Sequence, residues 1–119
     1  MNTKEINALH AFSAQEGTQI RQIFSPEDTD NLIRFSVAHC TINPGKASKQ
    51  HSMKTSEIYY ILQGNGVIHI DKEQKQVIKD EAIFIPPNSR QFLENNGDVD
   101  LIALCIVDPA WKAEDEILG

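Results

Sequence analysis

The chain has 119 residues, of which 40% are hydrophobic and 24% charged, the size and composition of one globular domain. Its formal net charge of −6 argues against binding to nucleic acid or to an anionic membrane, and no stretch resembles a membrane span or the apolar core of a signal peptide. The two cysteines, Cys40 and Cys105, are far apart in sequence and form no disulfide framework, so we expect a reduced, cytoplasmic protein.

Short apolar segments separated by Gly, Pro and Asn turns predict strands throughout the chain. Residues 1–11 predict a short helix or an extended arm. Strands are then predicted at 18–24, 32–42, 57–62, 67–71, 74–78, 82–85, 90–94 and 101–107. Segments 57–62 and 67–71 flank a Gly-Asn-Gly turn, which favours a hairpin, and the tail after 108 is expected to form one or two helical turns. The fold class predicted is an all-β sandwich or barrel.

Three of these segments, 57–62, 82–85 and 101–107, are apolar at nearly every position rather than at every second one. Strands of that kind are buried on both faces, whereas a small barrel buries only its inner face. Either the N-terminal arm or a second subunit must therefore cover the outside, and we expect a homodimer.

A histidine and a glutamate lie six residues apart in the stretch 45–66, GKASKQHSMKTSEIYYILQGNG. Side chains alternate along an extended chain, so one face carries, if no bulge intervenes, His51, Met53, Glu57, Tyr59 and Ile61. An imidazole and a carboxylate would then point into the same interior, which makes this stretch the candidate site.

The spacing in this stretch resembles the first motif of the cupin superfamily, G-x5-H-x-H-x3,4-E-x6-G. Residues 45–64 match it at Gly45, His51, Glu57 and Gly64, and Met53 stands where the second histidine would be. The resemblance implies a jelly-roll β-barrel with a metal site inside.

Residues 80–95 resemble the second motif, G-x5-P-x-G-x2-H-x3-N, through Pro86 and Asn95. The two glycines and the histidine are replaced by Asp80, Asn88 and Gln91. Asn tolerates left-handed backbone, so Asn88 should serve in place of glycine. The likeness extends over about residues 30–119 to small cupins of unassigned activity, and implies a single cupin domain spanning 1–119, with a short N-terminal arm and a short helical tail.

In such a protein the motif positions ligate one divalent cation, which here implies His51, Glu57 and Gln91, with Met53 as a further candidate. His51 and Glu57 have good ligand chemistry and Gln91 offers an amide oxygen, so Fe, Mn, Ni, Cu or Zn would be held in an incomplete site. The alternatives are that His51 and Glu57 form a hydrogen-bonded pair without function, that Met53 fills the core, and that Gln91 bonds Glu57 or a bound molecule.

Three functions remain open at this point. The first is a metal-dependent enzyme acting on a small polar metabolite. The second is a metal-free isomerase or epimerase with His51 as the base and Tyr59 as the acid, which would need an inward cation such as Arg34 or Arg90 to hold a phosphate. The third is a non-catalytic module that holds a small ligand in the barrel.

The remaining reactive side chains have weaker claims on the site. His69 should point away from the barrel interior. His39 and Cys40 are neighbours on one strand, so they should face opposite ways. Cys40 or Cys105 could line the cavity, but a buried structural thiol is the default interpretation.

Overall fold

A computed structural model of the chain describes residues 1–119. The regular structure is almost entirely extended, and the helical segments are three short 3-10 turns at Ile6–Ala8, Pro26–Asp28 and Ala113–Asp115. The strands are β1 (Phe12–Gln15), β2 (Thr18–Phe24), β3 (Ser36–Ile42), β4 (His51–Met53), β5 (Ser56–Gln63), β6 (Asn65–Ile70), β7 (Glu73–Ile78), β8 (Ala82–Ile85), β9 (Gln91–Glu94), β10 (Leu101–Asp108) and β11 (Glu116–Leu118). None of the helical segments is long and apolar enough to cross a membrane.

Two antiparallel sheets pack against each other. The larger sheet has six strands in the order β1-β2-β3-β10-β5-β8, and the smaller sheet has five in the order β11-β4-β9-β6-β7. Non-consecutive strands are therefore neighbours in both sheets, which is the connectivity of a jelly roll. The predicted all-β jelly-roll barrel is confirmed.

The predicted hairpin between 57–62 and 67–71 is wrong. Strand β5 pairs with β10 and β8 in the larger sheet, while β6 pairs with β7 and β9 in the smaller one. The chain crosses from one sheet to the other at Gly64, which has a left-handed φ of 82° and lies against the backbone of Asp100. A turn that fits a hairpin by composition is thus used here as a corner of the barrel.

Other strand boundaries also differ from those predicted. The predicted strand 32–42 begins only at Ser36, and Leu32 is 85% exposed after the 3-10 turn Pro26–Asp28. The tail forms one 3-10 turn and then continues as β11, which pairs with β4. Strand β1 pairs with β2 and extends the larger sheet at its edge, while Lys4, in the segment before it, donates to the carbonyl of Ile23 and to Asp28.

Two replaced motif glycines keep the backbone that glycine would adopt. Asp80 has a φ of 70° and Asn88 a φ of 67°, both left-handed. Asn and Asp are the residues other than glycine that adopt this conformation most readily. The expectation for Asn88 is confirmed, and Asp80 follows the same rule.

The barrel core lies between the sheets and alternates along each strand. In β5 the inward Ile61 is fully buried, whereas the outward Ile58 is 41% exposed. Phe84 on β8 is also outward and is 60% exposed. Burial of these strands on both faces, as their composition predicts, is therefore not achieved within one chain.

Candidate functional site

Four of the side chains predicted for the site meet inside the barrel, and they come from both sheets. His51 on β4 and Gln91 on β9 are directly paired across the smaller sheet. Glu57 and Tyr59 project inward from β5 of the larger sheet. The side chains predicted to share one face of a single extended segment therefore come from β4 and β5, which lie in different sheets. The chain changes sheets between Met53 and Ser56.

The amide of Gln91 is the centre of this cluster. Its Nε2 donates to Oε1 of Glu57 at 2.8 Å and lies 3.0 Å from Nε2 of His51. Its Oε1 accepts a hydrogen bond from the hydroxyl of Tyr59 at 3.2 Å. Gln91 is 2% exposed, so these contacts satisfy a side chain that has almost no access to water.

The ring of His51 is oriented from outside the cluster. Its Nδ1 lies 2.8 Å from the carbonyl oxygen of Lys49, and because a carbonyl only accepts, Nδ1 carries the hydrogen. Nε2 is then the unprotonated nitrogen, with its lone pair directed toward Gln91. A histidine fixed in this way by a backbone carbonyl is arranged as metal-binding histidines are.

The carboxyl group of Glu57 is held in its neutral form. Burial raises its pKa to about 8 from an ordinary value near 4.5; the charge of Glu116 adds to the rise and the hydroxyl of Tyr59 opposes it. Burial also raises the pKa of Tyr59 well above its ordinary value. At neutral pH the cluster therefore holds mostly uncharged groups, as an interior without a cation requires.

Met53 and Glu116 lie at the edge of the cluster. Met53 is 6% exposed and is paired across the sheet with Glu116 on β11. Sequence reasoning missed Glu116, because the tail was predicted to be helical and its acidic residues were given no place in the barrel. The one signal was that the family resemblance extends over about residues 30–119 and so includes this segment.

The other candidates do not join the cluster. Arg34 is paired with Asp108 at the surface and Arg90 is exposed, so neither supplies the inward cation that a phosphate-binding isomerase would need. His69 stacks on Phe92, with ring centroids 4.0 Å apart, and contacts Glu94 on the outer face of the smaller sheet.

The two cysteines lie on neighbouring strands on the barrel side. Cys40 on β3 is opposite Ala103, and Cys105 on β10 is opposite Ala38, so the thiols are diagonal neighbours on the inward face. His39 points the other way, as expected. Contact with Cys40 and burial raise the pKa of Cys105, so both the position and the protonated form fit a structural thiol.

Two surface depressions lie away from the centre of the cluster. A depression of about 570 Å³ opens between the two sheets at β7 and β8, with Val77 and Ile83 in its lining. A second, of about 380 Å³, lies beside Phe35 and Ile106 and touches Glu57. Neither depression is lined by His51 or Gln91. The hydrogen-bonded cluster, and not either depression, is therefore the candidate functional site.

Whether the cluster could hold a metal ion depends on whether a third donor joins His51 and Glu57. The structure contains no group of three or more His, Cys, Asp and Glu side chains able to hold an ion. His51 and Glu57 supply an imidazole and a carboxylate, so a third protein donor would have to be the amide of Gln91 or the thioether of Met53. If that amide turned its oxygen toward His51 and Glu57, three electron-rich atoms would face one another, an arrangement that a cation stabilises.

Comparison with known proteins identifies a matching family and several relatives of the chain. A family model described as a cupin domain (Cupin_2) matches residues 38–107. An uncharacterized protein of Methanocaldococcus jannaschii is 34% identical over 116 residues, covering 96% of this chain and 92% of its own. A mannose-1-phosphate guanylyltransferase of Klebsiella pneumoniae is 28% identical over 120 residues, which span 26% of that enzyme.

Solved structures share the fold at low identity. A predicted oxalate decarboxylase from Thermotoga maritima superposes with a TM-score of 0.78 at 23% identity, covering 89% of this chain and 97% of the other. A cupin-2 domain protein from Rhodospirillum rubrum gives a TM-score of 0.82 at 17% identity, covering 99% of this chain and 80% of the other. At these identities the likeness concerns the fold.

Proposed function

The chain belongs to the cupin family, and from that premise we propose that it is a small cupin that binds one divalent metal ion inside the barrel, at His51, Glu57 and Gln91. The observation that carries the proposal is the position of the Gln91 amide, which lies within hydrogen-bonding distance of both other donors. In the metal-free state the amide N–H groups bind the two donor atoms that an ion would otherwise take.

The donor set fits a hard or borderline ion better than a soft one. A neutral imidazole, a carboxylate and an amide oxygen suit Fe, Mn, Ni, Cu(II) or Zn, whereas the thioether of Met53 suits Cu(I). A bound ion would supply a Lewis acid that polarises an oxygen of a small polar ligand. The chain's own contribution is the orientation of His51 by the Lys49 carbonyl, whereas the hydroxyl of Tyr59 donates to Oε1 of Gln91 and so holds the amide in its metal-free orientation.

Titration of metal-free protein with Mn, Fe, Ni, Cu and Zn salts, followed by calorimetry and elemental analysis, tests the proposal. We expect one ion per chain, lost in His51→Ala and kept in His10→Ala, because His10 is exposed and outside the barrel. Equal binding by the two variants, or no binding of any of these ions by the wild type, would refute the metal site.

A metal-free proton transfer is the second candidate function, and the neutral Glu57 favours it. A carboxyl group with a pKa of about 8 can give up a proton near neutral pH, and Nε2 of His51, which carries no hydrogen, can accept one once the Gln91 amide releases it. Tyr59 is less suited to the role of acid, because its hydroxyl hydrogen is donated to Gln91 and its pKa is raised.

Deuterium exchange separates the two functions. Metal-free protein would be incubated with pyruvate or 2-oxoglutarate in deuterated water, and exchange next to the carbonyl followed by proton NMR. Exchange that His51→Ala and Glu57→Gln both abolish, and that EDTA leaves unchanged, would favour proton transfer. Metal binding with no exchange and no other turnover would leave a non-catalytic binding module.

A further inference from the structure

A buried carboxylate is held by two separate donors at the mouth of the barrel. Nζ of Lys49 lies 3.1 Å from Oε1 of Glu116, and the indole Nε1 of Trp111 donates to Oε2 at 3.2 Å. The side chain of Glu116 is 10% exposed. An ammonium and an indole N–H therefore bind one oxygen each, which makes a built binding site for a carboxylate that is filled by a residue of the chain itself.

This carboxylate lies next to the hydrogen-bonded cluster. Glu116 is directly paired with Met53, and paired residues of an antiparallel ladder project to the same face, so Glu116 points to the barrel side. Lys49 contributes its carbonyl to His51 and its ammonium to Glu116, which connects the two sets of contacts. The charge of Glu116 also contributes to the raised pKa of Glu57, as expected for a neighbouring carboxylate.

The strand that brings Glu116 to this position is weakly attached. β11 has three residues and lies at the edge of the smaller sheet. Ile117 and Leu118 are 60% and 65% exposed, so release of the strand would expose little further apolar surface. Glu116 is the one side chain of β11 that is mostly buried, and its contacts are the main side-chain interactions that release would break.

Trp111 is anchored separately from β11. Its backbone N–H donates to Oγ of Ser36 at 3.0 Å, and the preceding residue, Ala110, donates to the carbonyl of Arg34 at 2.7 Å. These bonds hold the segment before the last 3-10 turn to the larger sheet. Lys49 follows Ser48, whose backbone N–H donates to the carbonyl of Leu93, so Lys49 and Trp111 would both stay in place when β11 detaches.

We propose that Lys49 and Trp111 form a binding site for the carboxylate of a small organic acid, which Glu116 occupies until the ligand displaces β11. The inference rests on the proposed function, because the rest of the ligand would then face His51, Gln91 and Glu57. A monoanionic, planar group matches one ammonium and one neutral N–H. A phosphate would bring more charge to a site where no arginine is available, since Arg34 is paired with Asp108.

Malonate is the probe, and metal-free, EDTA-treated protein is the sample, so that chelation of a metal does not contribute. Trp111 is the only tryptophan, and its indole gives a single cross-peak in a proton–nitrogen correlation spectrum. We expect malonate to shift this peak, and Glu116→Gln and Glu116→Ala to tighten malonate binding by about fivefold, as expected for removal of a partly exposed ion-pair competitor. Lys49→Met should abolish the binding, and neutral malonamide should not bind.

Glu114→Gln and Lys54→Met are the matched controls, because each removes the same kind of charge from an exposed position nearby. The proposal is overturned if Glu116→Gln and Glu114→Gln bind malonate equally, or if Lys49→Met binds it as well as Lys54→Met does. Thermal melts establish that each variant is folded. Failure of the metal site would appear in the metal titration of the His51→Ala pair and leave the malonate result intact, so the two proposals fail separately.

Discussion

Gln91 has two different ends, and which end faces His51 and Glu57 determines what the cluster can bind. With the NH₂ group inward, both neighbours are satisfied by hydrogen bonds; with the oxygen inward, they need a cation. Turning the amide would break its hydrogen bonds with Glu57, His51 and Tyr59, and this cost would lower the net affinity for an ion.

Replacing Gln91 by histidine should remove that competition and add an imidazole ligand. We expect Gln91→His to bind Zn or Mn at least about tenfold more tightly, or about 1.4 kcal/mol, in a calorimetric titration. Gln76→His, on an exposed strand position, is the control. Unchanged affinity in Gln91→His would mean that position 91 does not face the ion.

Glu57 should make the folded protein less stable as the pH rises, which is the opposite of the usual effect of a carboxylate. Its folded-state pKa of about 8 is above the ordinary value near 4.5, so between these pH values the unfolded chain releases a proton that the folded chain keeps. Its contribution to stability is complete below pH 4.5 and is lost as pH rises to 8. Glu57→Gln keeps an acceptor for Gln91 and cannot ionise.

Urea unfolding in EDTA at pH 5 and pH 8 measures this effect. We expect Glu57→Gln to gain stability relative to the wild type by about 2 kcal/mol or more between these two pH values, since each unit of pKa shift corresponds to about 1.4 kcal/mol. Glu73→Gln, at an exposed strand position, should show no such gain. Parallel pH dependence in the wild type and Glu57→Gln would contradict a raised pKa.

The sequence predicts most of the members of the cluster and leaves a bond between Gln91 and Glu57 as one alternative, but it does not predict that one amide joins both His51 and Glu57. His51 and Glu57 follow from alternation along extended strands, and Gln91 from the spacing of the second cupin motif. That the Gln91 amide bridges the other two depends on a contact between sheets, which no local pattern encodes. Glu116 is missed because β11 has only three residues, too few to show a strand period.

At the scale of the strand, Gly64 determines that β5 and β6 belong to different sheets. It combines a left-handed φ with a close approach, because a Cβ there would lie 2.7 Å from the carbonyl oxygen of Asp100. Gly45 has a similar φ of 79° but open space around it. A substitution at Gly45 therefore tests the cost of left-handed backbone alone, whereas a substitution at Gly64 tests that cost together with a steric clash.

We expect Gly45→Ala to lower the free energy of unfolding by about 1 kcal/mol, the cost of left-handed backbone for alanine. Gly64→Ala should lower it by roughly 2–4 kcal/mol, because backbone atoms must also move. Chemical denaturation of the two variants side by side gives the comparison. Equal losses would show that the contact with Asp100 relaxes without cost.

The strands themselves are well predicted by composition, while their pairing is not. Segments such as 82–85 are apolar, bounded by turns and correctly located. Pairing joins residues distant in sequence, as when β10 lies between β3 and β5, and local turn chemistry then favours the wrong neighbour. Strands β5, β8 and β10 are apolar on both faces, and contact of their outer face with a second molecule would explain that composition.

At the scale of the whole molecule, the outer face of the larger sheet presents continuous apolar rows. Register places Phe84, Ile58, Ile106 and Val37 side by side across four strands. In the next row, Nε of Arg21 and Nδ1 of His39 are buried without a hydrogen-bond partner. A sheet face of this size measures roughly 600 Å², so two copies would bury about 1,200 Å², near the lower end for a stable interface.

We expect the protein to be a homodimer through this face. Sedimentation at micromolar concentration should give a dimer for the wild type and a folded monomer for Ile58→Asp or Phe84→Asp. Ile78→Asp, at an exposed apolar position on β7 of the smaller sheet, should remain dimeric. A monomeric wild type would leave the two-faced composition without this explanation.

The amide bridge between His51 and Glu57 also bears on how the protein is produced. Because Gln91 satisfies both groups, the centre of the barrel holds no uncompensated charge that requires an ion for folding. If the proposed metal site is correct, the chain would fold without the ion and take it up afterwards. We therefore expect metal-depleted growth medium to give an undiminished yield of folded protein, and the metal found in a preparation to reflect the supply in the culture.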